Sequence, residues 1–429
     1  VTKPYEALRH RDFRRLWVAQ LISQLGSQMQ VTAMNWHVYL LTHSPLALGF
    51  VGLTRVVPII LFSLWGGLEA DRRDRRRLLL LTQSVQALVA LGLALMTISG
   101  RSSVWLIYGL NAVQAAAWSF DNPARAAFVP KLVPVRDLPG ALALNLTVFH
   151  VAMIGGPALA GALLAGGAGW LSSYLSQDDA ALFAIYGLNA ASFSSVLLAL
   201  ALMRISGRAE GEARANADAL QSLREGLRFV FTTPLMVWTM TLDFFATFFA
   251  GSLSLLPVFA DQVLGVGAAG YGWLVAAPGI GALLGSLFTS VSPLPRRQGP
   301  LLLWSVAAYG AATIVYGISR SYTLTLLALA GTGLADLVST VIRQTLRQLI
   351  TPDSLRGRMT SVNMIFFMGG PQLGEMEAGL VASLFASAAT GVTVSVVSGG
   401  FVTLLVAAYV AAATPLVRRY DTHALQSSA

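Results

Sequence analysis

No cysteine occurs in the 429 residues, which excludes disulfide frameworks, thiolate metal sites and cysteine nucleophiles together. Histidine is scarce. His10, His37, His43, His150 and His423 are the five present, and no two stand three or four apart to place paired imidazoles on one helix face, so no metal site is expected. Lysine is limited to Lys3 and Lys131, so the phosphate-cradling pattern Gly-x-x-x-x-Gly-Lys-Ser/Thr cannot be assembled and no ATP-binding fingerprint is present. A membrane enzyme would need a clustered nucleophile and base near one face, and neither that nor a Gly-x-Ser-x-Gly elbow is found. Charged residues make up only 11% of the chain, against roughly 25% in a soluble domain.

Hydrophobic residues instead make up 55%. A membrane-spanning helix needs about 20 mostly apolar residues, because hydrocarbon offers the backbone no hydrogen-bond partner. Twelve such spans are expected, at 15–40, 46–67, 77–99, 103–124, 139–167, 181–203, 234–261, 269–290, 300–318, 322–346, 359–386 and 393–416. The first fifteen residues are polar and basic without the pattern of a cleavable signal, so the first span is expected to act as the insertion signal. With both termini placed in the cytoplasm, 26 of the 29 Lys and Arg fall on the cytoplasmic side; Arg101 and Arg320 lie outside and Arg55 within the second span. This asymmetry accounts for the net charge of +9 as a topological signature beside anionic lipid rather than a nucleic-acid footprint.

The longest polar stretch, 204–233, divides the spans into two sets of six. Within it Leu220, Leu223, Leu227, Val230 and Phe231 recur at helical spacing, as in an amphipathic helix on the cytoplasmic face. At about thirty residues it is too short for an additional soluble domain. Weak internal similarity indicates duplication: Gly67 matches Gly285, Arg125 matches Arg343, Pro134 matches Pro352 and Asn145 matches Asn363 at an offset of 218, and Gly155-Gly156-Pro157 matches Gly369-Gly370-Pro371 at 214. The expected fold class is an all-α membrane protein with twelve transmembrane helices in two pseudo-symmetric six-helix bundles. The expected domains are 1–203, a linker at 204–233, and 234–429 with a short cytoplasmic tail. Parallel repeats of this kind place a substrate site between the halves and expose it alternately.

The second-to-third connection reads Gly66-Gly67-Leu68-Glu69-Ala70-Asp71-Arg72-Arg73-Asp74-Arg75-Arg76-Arg77. It resembles the G-x-L-A-D-R-x-G-R-R signature of the major facilitator superfamily, with Glu69 and Asp74 as departures. A carboxylate in such a turn can cap a helix, and its arginines can pair with carboxylates or headgroups. The resemblance implies that Gly67, Asp71, Arg72, Arg75 and Arg76 form a conformational latch, with Asp71 holding the cytoplasmic end of the eleventh helix. The second copy, Gly285 to Arg297, has no acid. Gly156, Pro157 and Gly161 resemble the antiporter motif of proton-coupled exporters in this superfamily, although small residues and proline also serve ordinary helix packing. Phe13-Arg14-Arg15-Leu16-Trp17, Asp121-Asn122-Pro123-Ala124-Arg125 and Gln372 to Gly379 are similar to the bacterial drug and siderophore exporter branch that includes the enterobactin exporter.

Ionisable residues inside spans are costly, by about 2.5–3.5 kcal/mol on insertion scales, and so mark functional candidates. They are Arg55, Asp121, Asp243, Asp336, Glu375 and Glu377. Asp121 is expected to pair locally with Arg125. In the resembled fold the second and eleventh helices face each other, which implies an ion pair of Arg55 with Glu375 or Glu377, two residues that diverge by about 200° around their helix. Proton uptake would break such a pair. Asp243 and Asp336 fall on cavity-lining helices of that fold, where a carboxylate takes a proton or a cationic cargo; the alternative is a hydrogen bond to Ser339, Thr340 or Thr239. Trp36, Tyr39, Trp118, Phe244, Phe245 and Phe248 are candidates for an amphipathic cargo site. The resulting expectation is an inner-membrane secondary active transporter, a proton-coupled exporter of small amphipathic molecules, with import or facilitated diffusion as the alternative. It would act as a monomer among membrane lipids, with no cofactor, no nucleic-acid partner and the proton gradient as energy source.

Overall fold

The computed structural model describes residues 4–167, 175–203, 219–291, 295–352 and 355–421, so residues 204–218 of the expected linker lie outside the described residues. Among the described residues no strand occurs. After a 3-10 turn at Pro4–Arg9 come α1 (Arg11–Thr42), α2 (Pro45–Arg72), α3 (Arg75–Ile98), α4 (Val104–Phe128), α5 (Leu138–Gly166) and α6 (Gln177–Leu202). There follow α7 (Ala219–Thr232), α8 (Pro234–Phe249), the single turn α9 (Leu256–Val258), α10 (Gly267–Val291), α11 (Gln298–Ile318), α12 (Tyr322–Ile350), α13 (Arg356–Ser383) and α14 (Ala388–Ala413). Local chemistry sets many of the ends. The Asp74 carboxylate accepts from the Arg76 and Arg77 amides at the start of α3, the Ser176 hydroxyl accepts from the Asp179 amide at the start of α6, and Gly167, with φ +64°, follows the last residue of α5.

Among the described residues nine segments are long and apolar enough to cross a membrane, where the sequence indicates twelve. They lie in α2, α3, α5, α6, α10, α11, α12, α14 and the run from α8 to Val263. The other long helices, α1, α4 and α13, have 32, 25 and 28 residues. Polar chains lower the apolar character of α1 and α4, and many of those chains are buried: Gln20, Ser23, Gln30 and His37 in α1, Asn111, Ser119 and Asp121 in α4. The seventh expected span is broken. After α8 the chain turns through Gly251 and Ser252, and then resumes through α9 into a π-helical turn at Phe259–Val263. A Cβ on Gly251 would lie 3.1 Å from the Pro371 carbonyl, and the Ser252 hydroxyl bonds the Tyr316 hydroxyl, so the break is seated against α13 and α11.

The chain forms two compact units, 1–42 with 57–217, and 43–56 with 218–429. In the first, α1 packs on α5 and α6, and α3 on α4 and α6. In the second the same pattern recurs: α8 packs on α13 and α14, and α11 on α12 and α14. The matched glycines occupy corresponding contacts. A Cβ on Gly156 would fall 2.5 Å from Gln28 Cβ where α5 meets α1, and one on Gly370 would fall 2.5 Å from Thr247 Oγ1 where α13 meets α8. Leu16, Leu79, Phe128 and Leu200 belong to one buried cluster of the first unit, Leu242, Leu302, Ile342 and Val410 to one of the second. The amphipathic α7 turns Val230 and Leu227 toward Met236, Met240 and Met359 while Phe231 stays exposed.

Close helix crossings should respond to a single methyl group according to what lies opposite. At Gly281 a Cβ would collide with the Ala330 carbonyl, whereas nothing lies within 4 Å of one at Gly187. Gly281→Ala is expected to destabilise the purified protein by about 1–3 kcal/mol. Gly187→Ala should instead raise stability by up to about 1 kcal/mol through helix propensity. Thermal unfolding in detergent, read by size-exclusion, checks the opposite signs; equal behaviour of the two variants contradicts the packing described.

Candidate functional site

The basic turn between α2 and α3 serves the first unit structurally. Arg75 donates to the Ala127 carbonyl at 3.1 Å, and Arg76 donates to the Leu200 and Ala201 carbonyls at 2.7 and 2.9 Å, so both cations sit at the C-terminal ends of α4 and α6, where helix carbonyls lack intrahelical donors. Glu69 pairs with Arg73 one turn on. Gly67 has open space around it, while its neighbour Gly66 lies where a side chain would strike the Ser119 carbonyl of α4. The side chains of Asp71 and Arg72 lie outside the described residues.

Deeper in the same unit, Asp121 is 3% exposed and fully partnered. Arg125 Nε donates to it at 3.0 Å, Thr82 Oγ1 at 2.8 Å and Gln83 Nε2 at 2.7 Å. One carboxylate thus meets one guanidinium and two neutral donors, a closed and electrically balanced arrangement, as the i,i+4 spacing indicated. A second polar chain crosses the unit: Asn189 Nδ2 donates to Gln30 Oε1 at 2.7 Å and Gln30 Nε2 to Gln114 Oε1 at 2.6 Å, tying α6, α1 and α4. Gly156, Pro157 and Gly161 are buried on α5. Trp36 and Tyr39 are buried too, with rings 5.5 Å apart, while Trp118 is half-buried.

In the second unit the N-terminal part of α2 lies on α13 with backbone almost touching backbone. A Cβ on Gly49 would sit 2.8 Å from the Glu375 carbonyl, and one on Gly379 would sit 2.7 Å from the Pro45 carbonyl. At Gly52 it would sit 2.7 Å from Glu375 Oε2 and 2.5 Å from the Gln372 carbonyl. The missing side chain of Gly52 is therefore the seat of the Glu375 carboxylate. Arg55 follows one turn later on the same face, near enough for its charge to interact with that of Glu375. Glu377 is half-buried and, two residues on, points to another side of α13.

The second charge cluster centres on Arg343, one of the 26 basic residues that the expected topology assigns to the cytoplasmic side. Arg343 lies within α12, two turns from its end, and is 7% exposed. Its Nη1 pairs with Asp243 of α8, and its Nη2 donates to Thr340 Oγ1 at 2.8 Å and stands 3.7 Å from Asp336 Oδ1. Asp243 and Asp336, separate candidates in the sequence, thus share one cation. The hydrogen bonds considered as the alternative are not what holds them: Thr239 Oγ1 donates to the Leu235 and Met236 carbonyls, and buried Ser339 Oγ has no partner. A signal was available, since Asp336 and Arg343 are seven apart and so share a helix face. Nearby, Phe244 stacks on Phe248 at 5.9 Å and meets Phe245 and Phe366 edge-on, with Phe245 39% exposed. Among the described residues no group of His, Asp and Glu could hold a metal.

The profile of a family described as transmembrane secretion effector matches residues 2–429. The enterobactin exporter EntS of Shigella boydii serotype 18 is 27% identical over 355 residues, which span 82% of this chain and 81% of that protein, and the EntS of Escherichia coli O81 matches equally. Among solved structures, a bacterial homolog of the human lysosomal transporter Spinster, inward-facing and occupied, superposes with a TM-score of 0.73 at 16% identity, covering 98% of this chain and 100% of that one. A bacterial homologue of the iron transporter ferroportin, inward-facing, gives 0.66 at 18%, covering 93% and 98%.

The shared cation makes a stability prediction. Arg343→Met leaves two carboxylates in the interior without their partner and should destabilise by about 3–5 kcal/mol. Combining it with Asp243→Asn and Asp336→Asn removes the unpaired charges and should restore most of that loss. Thermal unfolding of the single and triple variants checks this; a single variant as stable as wild type means the cluster is not an ion-paired unit.

Proposed function

From the premise that this chain belongs to the transmembrane secretion effector family of the major facilitator superfamily, and is a multi-pass membrane transporter rather than an enzyme, we propose that it exports small amphipathic molecules in exchange for protons. The cargo is a siderophore, as the enterobactin-exporter relatives suggest, or an amphipathic drug, and the chain works by alternating access in the bacterial inner membrane with both termini in the cytoplasm. No cofactor takes part; the proton gradient drives the cycle.

The observation that carries this reading is the Glu375 carboxylate seated at Gly52 beside Arg55, inside helices that cross the membrane. A charge held there is tolerated because its partner is there. A proton arriving on Glu375 cancels its attraction for Arg55 and leaves Arg55 without a counter-charge, so the contact between α2 and α13 weakens. Because α2 belongs by its N-terminal part to the second unit and by its remainder to the first, a change in that contact bears on a helix that both units share. The latch residues Asp71 and Arg72, the motif glycines and Pro157 on α5, and the polar chain from Gln30 to Gln114 would support the same cycle on the side of the first unit.

Proton flux in inverted membrane vesicles, read with a pH-sensitive dye while candidate cargoes are added singly, tests the reading. A cargo should collapse the pH gradient with wild type. Glu375→Gln should abolish that collapse while labelled cargo still equilibrates downhill. If cargo equilibrates in wild type with no proton movement, coupling is wrong and the protein is a uniporter.

A further inference from the structure

Helices α3 and α11 hold corresponding places in the two units, and adjacent arginines stand at the start of each. In the first unit Arg75 and Arg76 are engaged at the ends of α4 and α6, where they donate to the carbonyls of Ala127, Leu200 and Ala201. In the second unit backbone does this work for the turn Pro415–Arg418 that follows α14. The amide of Gly299, in the first turn of α11, donates to the Tyr420 carbonyl at 3.1 Å. A Cβ on Gly299 would collide with the Val417 carbonyl and lie 3.1 Å from the carbonyl carbon of Arg418, so the two chain segments are clasped backbone to backbone. The clasp brings Arg296 and Arg297 beside Arg418 and Arg419.

All four arginines are exposed. Among the described residues of the two clasped segments the one carboxylate is Asp421, and both it and Arg296 have contacts of their own. The elements packed nearby do not alter the balance. Helices α11 and α14 contain no acidic residue, Asp243 of α8 and Asp336 of α12 lie deeper around Arg343, and Arg347 adds another cation near the end of α12. Exposed guanidiniums in such excess repel one another, and an anion relieves the repulsion. They stand at the N-terminus of a 21-residue helix, whose dipole adds positive potential. A second observation falls in the same turn: Gln298, the first residue of α11, is buried and its Oε1 has no hydrogen-bond partner. That oxygen can only accept, so it calls for a hydroxyl or amine hydrogen and not for a phosphate oxygen. From the clasp two exposed stripes run along helices that are long and apolar enough to cross a membrane, Trp304, Ala308 and Ala311 on α11 and Leu416, Tyr409 and Leu405 leading back along α14. Trp304 comes seven residues after Arg297 and so returns to nearly the same side of α11.

We propose that the clasp is a binding site for one anionic phospholipid of the phosphatidylglycerol class. Arg297, Arg418 and Arg419 hold the phosphate, a headgroup hydroxyl donates to Gln298 Oε1, and the acyl chains lie along the stripes that begin at Trp304 and Leu416. Phosphatidylcholine offers neither net charge nor a headgroup donor. The lipid bridges the start of α11 and the turn after α14, so its binding stabilises the second unit. In the first unit the corresponding arginines are engaged by helix ends, which leaves them unavailable for this role. The site does not depend on the direction of transport or on proton coupling.

Lipid binding to the purified, delipidated full-length protein in a neutral detergent tests this, read by thermal unfolding and by native mass spectrometry. Phosphatidylglycerol should raise the unfolding midpoint and stay attached in the mass spectrum, and phosphatidylcholine with the same chains should do neither. Arg297→Gln, Arg418→Gln and Arg419→Gln combined should weaken phosphatidylglycerol by about ten- to a hundredfold. The control combination Arg9→Gln, Arg11→Gln and Arg14→Gln, at exposed arginines of the first unit, should leave it unaltered. Phosphatidylmethanol, equally charged but without headgroup hydroxyls, should bind wild type about three- to tenfold more weakly than phosphatidylglycerol, and Gln298→Leu should abolish that difference. Arg297→Gln alone serves if the triple variant does not fold. Unaltered phosphatidylglycerol affinity in the folded clasp variant overturns the proposal, and equal loss in the two triple variants replaces it with diffuse attraction to basic surface. Equal affinity of the two anionic lipids for wild type overturns the headgroup assignment. Displacement of the lipid by glycerol 3-phosphate or inorganic phosphate at equal concentration, with the same gain in stability, overturns the lipid assignment in favour of a soluble anion.

Discussion

Hydrocarbon gives a backbone amide or carbonyl nothing to bond with, and most of this structure follows from that one constraint. Every crossing segment must satisfy its own backbone, so the described residues are helical with short connections. Once both faces of a helix meet apolar surroundings, burying apolar area no longer says which helix should lie against which, and contact is decided by how closely two backbones can approach. The glycines do that here. Gly66 against Ser119, Gly156 against Gln28, Gly281 against Ala330 and Gly49 against Gly379 are places where no side chain fits, and they register one helix on another. Even the break after α8 is of this kind, with Gly251 held near the Pro371 carbonyl.

The same solvent makes each buried charge conditional on a partner. Where the partners balance, as at Asp121, the result is a fixed knot of α3 and α4. Around Arg343 one guanidinium is shared by Asp243 and Asp336, and the Glu375 carboxylate of α13 takes the space that Gly52 leaves on α2. Duplication thus supplied two copies of a packing scheme, and substitution within it gave the two copies different sets of charged groups. Conserving the helix contacts while changing the charge count is physically easy. Glycine contacts depend on backbone spacing, and charge balance depends on a few side chains that need not touch those glycines.

Much of this could be read directly from the chain. Long apolar runs mean helices in a membrane whatever their neighbours, the spacing of Asp121 and Arg125 makes a pair within one helix turn, and the glycine-proline motifs and the basic turn identify the superfamily. Those are local properties, determined by covalent spacing and by solvent. The tertiary structure alone decided that Arg343 belongs to the interior, that it is shared by Asp243 and Asp336, that Glu375 occupies the space Gly52 leaves, and that the seventh span bends at Gly251. A hydropathy average sums around a helix and loses the direction of each polar chain, so the buried Gln20 and Gln30 of α1 lower that average and the inward turn of Arg343 near the end of its span goes unseen. Which two faces meet depends on contacts between residues from tens to hundreds apart in the chain, and only the packed helices bring those residues together.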